Sequence, residues 1–339
     1  MTEPRTPPRT GGRVGVRDVA REAGVSTQTV SRVINDQPNI RPETRLRVQA
    51  AMDALGYRVN NAARALGTRT TRTIGVIASD ATLYGPSVGI AALDSAAREA
   101  GRWIATAYAD AADEASVIAA ADRLLSQGVD GMIVLAPHAA TLSALAAAVA
   151  GTPLSALHSE AGAERQREGA ALAVAHVVAL GHRRIAQVSG PDDWLEADAR
   201  IQGITAALIA AGLELSGSWR GDWTARSGAE LASPIAAASR RSDGPTAILV
   251  ANDQMALGLI AGLRAMGVDV PRDLSVAGFD DNPDAAFYAP ALTTVRVDLA
   301  GEARRAVAAV LGDGGVVRPG PAVLVARGST APIPVRGGF

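Results

Sequence analysis

The sequence predicts an α/β protein: a small N-terminal helix-turn-helix headpiece followed by a two-lobed core of two doubly wound parallel sheets. Three observations predict it. Net charge is −1 over 339 residues, yet residues 1–72 carry 13 arginines against 6 acidic side chains, so a head of +7 precedes a body of −8. The stretch VRDVAREAGVSTQTVSRVIN, Val16–Asn35, places Ala20, Gly24 and Val30 at the spacing of two helices that meet across a glycine turn. From Thr73 onward, short apolar runs alternate with Ala-rich helical segments, the pattern of parallel βα units whose sheet is covered on both faces.

Taken in order, residues 1–14 are rich in Pro and Arg and are expected to be a disordered tail. That tail has no apolar run, so it does not read as a secretory signal. No stretch reaches the uninterrupted apolar length of a membrane span, and the chain is expected to be cytoplasmic with no membrane partner. Cysteine is absent, which excludes disulfides, thiolate chemistry and cysteine-based zinc sites. Helices are predicted at Val16–Ala23, Thr27–Asn35 and Pro42–Leu55, within a unit of residues 15–59. Their expected mini-core is Ala20, Val25, Val30, Val33, Leu46 and Val48. Residues 60–72 have too little apolar surface to fold alone and read as a linker that orders on binding.

The core begins at residue 73 and runs to 339. RTIGVIAS, WIATAY, GMIVLAP, RIAQVSGP, TAILVAND and LSVAGFDD read as strands. Helical segments are expected at Val88–Ala100, Ala115–Gln127, Gly169–Leu180, Asp198–Ala211 and Met255–Met266. About ten such units are too many for one compact open sheet and suit two similar lobes.

Two groups of residues carry chemistry. Ser26 is placed to cap the second helix, leaving Thr27, Gln28 and Arg32 to project from its N-terminal half. Gln can bond an adenine bidentately and Arg a guanine, so with the basic flank the expected partner is double-stranded DNA. In parallel sheets, ligands gather beyond the carboxyl ends of strands. Those ends supply Ser79, Asn252 with Asp253, and Asp280 with Asp281, and Arg200 and Trp223 lie on segments that could face the same cleft. Carboxylate, amide and guanidinium can chelate vicinal hydroxyls, and an indole face can stack on a pyranose, which points to a neutral polyhydroxyl ligand. The less favoured alternatives are strand-end capping for Asn252 and Asp280 and a helix salt bridge for Arg200. His138, His158, His176 and His182 show no ligand spacing, and His182 reads as a helix C-terminal cap. Adjacent strand-end residues such as Asp280 and Asp281 point to opposite sides, which disfavours a catalytic carboxylate pair. No nucleotide or hydrolase motif is present, so no catalytic residues, no metal site and no cofactor are expected.

Over about Val16–Pro332 the chain resembles the lac repressor family (LacI/GalR) of bacterial regulators. The motifs that carry the resemblance are the stretch quoted above, AMDALGYRVNNAARALG, LYGP, VALGHRRIAQVSGP, GDWTARSG, ILVANDQMALG and SVAGFDDNPDAAFYAPALTTVRVDLAG. It implies a type I periplasmic-binding-protein-like core, with lobe 1 at about 73–158 and 297–320 and lobe 2 at about 159–296 and 321–335. It also implies a homodimer acting as a repressor on operator DNA, released by a sugar effector. By position, Thr27, Gln28, Thr29 and Arg32 would touch bases or phosphates, Asn35 the backbone, and Leu66 would wedge into the minor groove. Arg200, Trp223, Asn252 and Asp280 would contact the effector, with Leu83 and Pro86 as apolar wall. The resemblance has gaps: His138, Ala139 and Ala140 stand where acidic residues are expected, Glu196 replaces a small hydroxyl residue, Val297 a glutamine, and Ser159–Gly169 is shortened. The expected ligand is a galactoside or another glycoside. A solute-binding protein of a sugar transport system is the alternative; it would share the core but lack the headpiece. The final APIPVRGGF has no leucine heptads, so a dimer is expected rather than a larger bundle.

Overall fold

The computed structural model describes residues 14–35, 37–58, 70–79, 82–135, 137–312 and 317–333. The expected tail up to residue 13, Leu66 and most of the 60–72 linker lie outside the described residues. The chain divides into two units, Met1–Thr71 and Arg72–Phe339.

In the first unit, α1 (Val16–Ala23), α2 (Thr27–Ile34) and α3 (Pro42–Ala54) enclose a core of Val19, Ala20, Ala23, Val30, Val33, Val48 and Ala51. Gly24 ends α1 in the left-handed region at φ 63°, which glycine adopts without a Cβ penalty, and so turns the chain into α2. Leu46 does not join this core. Val48 and Ala51 hold the inner stripe of α3, and two residues earlier is about 200° round the helix, so Leu46 is 69% exposed. Ser26 caps α2 as expected, its Oγ accepting from the Thr29 N–H at 3.1 Å. Ser26→Ala should loosen α2 by about 1 kcal/mol, seen as roughly fivefold faster amide exchange over residues 27–34 in the full chain.

In the second unit, β1 (Thr73–Ala78), β2 (Trp103–Tyr108), β3 (Gly131–Val134) and β4 (Leu154–Ala156) form a parallel sheet in the order β2-β1-β3-β4. Along β1 the side chains alternate. Ile74, Val76 and Ala78 face helices Tyr84–Glu99 and Leu299–Leu311, while Ile77 faces Glu114–Ser126 and Ala139–Ala148. A second parallel sheet, β6-β5-β7-β8, is built from β5 (Ile185–Ser189), β6 (Leu215–Arg220), β7 (Ala247–Val250) and β8 (Ser275–Ala277). Helices Ala161–Ala179 and Leu195–Ala210 cover one face, and Ala225–Glu230, Ala232–Ser239 and Asp253–Ala265 the other. An antiparallel ribbon of β9 (Thr294–Arg296) and β10 (Val323–Val325) packs on the second lobe, whereas Leu299–Leu311, between those two strands in sequence, packs on the first.

His182 corrects a sequence expectation. Its ring does not cap the preceding helix. Nδ1 meets Thr246 Oγ1 at 2.9 Å and Nε2 meets the Ala331 carbonyl at 3.0 Å, so the imidazole ties the C-terminal segment to the second lobe.

Candidate functional site

Both sheets reverse strand order at their centres, between β1 and β3 and between β5 and β7, and the loops leaving those strands face one another. Between them lies a cavity of about 380 Å³, within the usual range for small-molecule sites. The first lobe contributes Leu83, Tyr84, Pro86 and Leu135 to its wall; the second contributes Glu196, Arg200, Trp223, Asn252 and Asp280. Leu83 and Pro86 precede and open helix Tyr84–Glu99, where the missing N–H of proline in the first turn loses no helical hydrogen bond.

Arg200 is the centre of the polar wall. It is 6% exposed, and its three guanidinium nitrogens are all engaged. Nε donates to Gln166 Oε1 at 2.8 Å, one terminal nitrogen to the Ala251 carbonyl, and the other to Asp280 Oδ1 at 3.0 Å. Its charge also lies 4.0 Å from the centre of the Phe279 ring. Burial raises the Asp280 carboxyl above its ordinary range and Arg200 opposes that rise. Asp281 lines the cavity too, contrary to the expectation of opposite sides, because both residues lie past the end of β8 at positive φ. Two arginines hold its carboxyl low against its burial, Arg327 at 2.6 Å and Arg296 at 2.7 Å.

Asn252 lines the cavity, and both ends of its amide have protein partners. Oδ1 caps helix Asp253–Ala265 by accepting from Met255 N at 2.8 Å, and Nδ2 donates to the Trp223 carbonyl at 2.9 Å. The capping alternative read from the sequence therefore holds for this side chain, and it also fixes Trp223. Trp223 itself is buried, with its indole N–H unpartnered and an edge-on contact to Trp194 at 5.7 Å.

Ser79 is not brought to this cavity. It lines a neighbouring open cleft with Tyr108, Asp110, His138 and Trp194. β1 ends one residue before Ser79, which turns toward the β2 side. The residues that sequence reasoning missed are Gln166, Trp194, Gln254 and Arg296, together with His158, for which no role was apparent. Glu196 stood out only as a departure; in the structure it is buried, its Oε2 has no partner, and burial pushes its carboxyl up to about 7.

The lobes also touch beside the cavity. Tyr84 N donates to Gln254 Oε1 at 3.0 Å, and Ala139 N and Leu195 N donate to the carbonyls of Asp193 and Pro137 at 3.0 and 3.2 Å.

In the first unit, Thr27, Gln28, Ser31 and Arg32 are exposed on α2, opposite buried Val30 and Val33. Thr29 is half-buried and its hydroxyl bonds Ser26 Oγ at 2.9 Å; the Asn35 amide reaches Ser31 Oγ at 3.5 Å. Gln28, Ser31, Arg32 and Asn35 follow the i, i+3, i+4, i+7 spacing of one helical face.

Residues 16–60 match the bacterial regulatory proteins of the lacI family, and residues 174–330 match the periplasmic binding protein-like domain. The lactose operon repressor of Escherichia coli (strain K12) is 36% identical over 291 residues, 83% of this chain and 79% of that protein. The chain belongs to the lacI family of bacterial regulatory proteins. A lac repressor dimer bound to operator and the anti-inducer ONPF superposes on this family member with a TM-score of 0.79 at 32% identity, over 94% of this chain and 100% of that one. A complex of the transcriptional regulator CelR with cellobiose gives 0.64 at 27% identity, over 94% and 100%. As in that family, a helix-turn-helix unit precedes a core of two parallel-sheet α/β lobes.

Proposed function

We propose that this transcriptional regulator is a dimeric repressor that holds a pseudo-palindromic operator and leaves it when a glycoside, galactoside-like in its polar contacts, fills the cavity between the lobes. One observation carries the reading. A single chain combines an exposed polar face on α2, in a unit rich in arginine, with a cavity at the converging strand ends of two lobes that sets an apolar wall against the polar side chains of Glu196, Arg200, Asn252 and Asp280. Thr27, Gln28 and Arg32 read base edges, Thr29 and Asn35 steady the helix against the backbone, and Leu66 enters the minor groove. Asp280 and Arg200 take vicinal hydroxyls, Trp223 stacks on the sugar ring, Asn252 holds Trp223 in place, and Leu83 and Pro86 close the apolar side. The relatives reported above are regulators, and among the described residues no helix is long and apolar enough to cross a membrane. The helix-turn-helix unit sets the chain apart from a solute-binding protein of a transport system.

A thermal-shift screen against sugars and purines, followed by operator titration with and without the hit, tests this. If the two heads together neutralise about eight to ten phosphates, log K should fall with log salt at a slope of roughly −7 to −9. Gln28→Ala should relax preference at one base pair and cost about 1–3 kcal/mol only on the preferred sequence. A salt-independent affinity, or release by no sugar in the panel, would refute the reading.

Glu196 adds a pH signature. Its folded-state carboxyl stands near 7 against an ordinary 4.5, so the folded chain keeps a proton that the unfolded chain releases between those values. Stability conferred by that proton is present below pH 4.5 and is lost as pH rises to about 7, a change on the order of 3 kcal/mol. Glu196→Gln should remove this component of the stability–pH profile, measured by urea unfolding from pH 4.5 to 8.

A further inference from the structure

His158 lies two residues beyond β4, follows the apolar pair Ala156–Leu157, and is one of four histidines in the chain. Its backbone N–H is held by Glu302 Oε1 at 2.9 Å, and its ring lines the cavity next to Gln166. The polarity of that ring follows from its neighbours. A guanidinium has donors and no acceptor, so the Gln166 atom at 2.8 Å from Arg200 Nε is the amide oxygen. The other end of the amide, Nε2, is then a donor, and it lies 3.1 Å from His158 Nδ1. Nδ1 must therefore accept, which leaves the ring proton on Nε2, and among the described residues the ring's hydrogen bond is the one at Nδ1.

We infer that His158 is a specificity-determining residue of the cavity: it presents a fixed Nε2–H donor to an oxygen of the bound effector, and Gln166 is the positioning residue that holds this tautomer on behalf of Arg200. The inference rests on the effector reading above. The imidazole stays neutral throughout the physiological range, because burial together with Arg200 and Arg305 pushes its pKa down to about 3. Every protein-facing contact of this relay is already spent, and Gln166 is almost wholly buried. The Nε2–H is thus left as a donor of invariant polarity: it can meet a hydroxyl, ring or glycosidic oxygen, but not an ammonium.

The full chain labelled with 15N in histidine alone, with His158→Asn to identify the signal, reports the tautomer directly. The expected spectrum has the proton on Nε2 and a bare Nδ1. Gln166→Glu keeps the shape and the acceptor for Arg200 but offers His158 only acceptors, so the proton should move onto Nδ1, which a merely structural glutamine would not require. Affinities of methyl β-galactoside and its monodeoxy analogues then form a cycle with His158→Leu. One analogue should bind the unaltered chain about three- to tenfold more weakly than the parent, and that difference should vanish in His158→Leu. A proton on Nδ1 in the unaltered chain, or deoxy losses identical in both proteins, would overturn the assignment. If the glycoside does not bind the unaltered chain at all, the sugar reading fails, and the nitrogen spectrum alone decides the tautomer.

Discussion

Asp280→Ala is expected to give a protein that grips its operator normally, loses its response to the effector and unfolds about 3–5 kcal/mol more easily. The stability loss arises because removing one member of a buried ion pair leaves the other charge uncompensated. Arg200 would retain Gln166 and the Ala251 carbonyl but no counter-charge. Asp280→Asn keeps an acceptor at the same place and should be milder in stability while still failing to respond. The response itself is modest in energy. A thousandfold release from DNA needs about 4 kcal/mol, or about 2 from each of two bound ligands, within the usual range of allosteric coupling. Urea unfolding and operator titration with the effector identified by the sugar screen check both halves. Release of Asp280→Ala at the concentrations that release the unaltered chain would place the effector elsewhere.

The second large effect concerns Gly258. Alanine in an exposed helix interior is normally favoured over glycine by about 1 kcal/mol; here the sign should reverse. A Cβ on Gly258 would lie 1.7 Å from the Ala225 carbonyl oxygen, and one on Gly228 would lie 2.0 Å from that of Met255. Helices Ala225–Glu230 and Asp253–Ala265 thus meet backbone to backbone, with no flexible side chain able to move aside. Gly258→Ala should destabilise the core by about 4 kcal/mol or more. It should also disturb Asn252 and Trp223, since that helix starts at the Asn252 cap. Calorimetry of the variant decides it; an unchanged or raised unfolding temperature would contradict the packing.

Local chemistry explains which features were legible in the sequence. The headpiece was readable because its signals are short-range: an αL glycine, a capping serine and apolar residues at helical spacing. Long-range packing explains the misses. Helix Ala161–Ala179 begins eight residues before the expected Gly169, since its polar first turns and two glycines look like loop. In the fold Gly169 is required small, with Phe279 and Val295 pressed against it at 2.8–2.9 Å from a would-be Cβ. The strands β4, β6, β9 and β10 were not expected; β4, β9 and β10 span three residues each and are only partly buried, whereas the equally short β8 is buried throughout. Arg200, Trp223, Asn252 and Asp280 line the cavity, and of these Asn252 and Asp280 lie just beyond strands that pattern locates. Gln166 and His158 were not legible, because Gln166 meets Arg200 across 34 residues of sequence and His158 meets Gln166 only in the fold. Leu46 is apolar but lies off the stripe that Val48 and Ala51 bury on α3.

The interleaving of the lobes sets a schedule for synthesis. The first lobe lacks one wall of its core until Leu299–Leu311 emerges, about 140 residues after β4. At ordinary ribosomal speeds that is a wait of roughly 7–30 s. The second lobe closes later still. Ser329, wholly buried, holds Thr293 N at 2.8 Å and the Val276 carbonyl at 2.6 Å, and the Ala331 carbonyl receives His182. The headpiece, whose core is complete by Tyr57, can fold first while both lobes wait with apolar faces open. A nascent chain stalled before residue 299 would therefore carry a finished helix-turn-helix unit ahead of two lobes that each still lack part of their core.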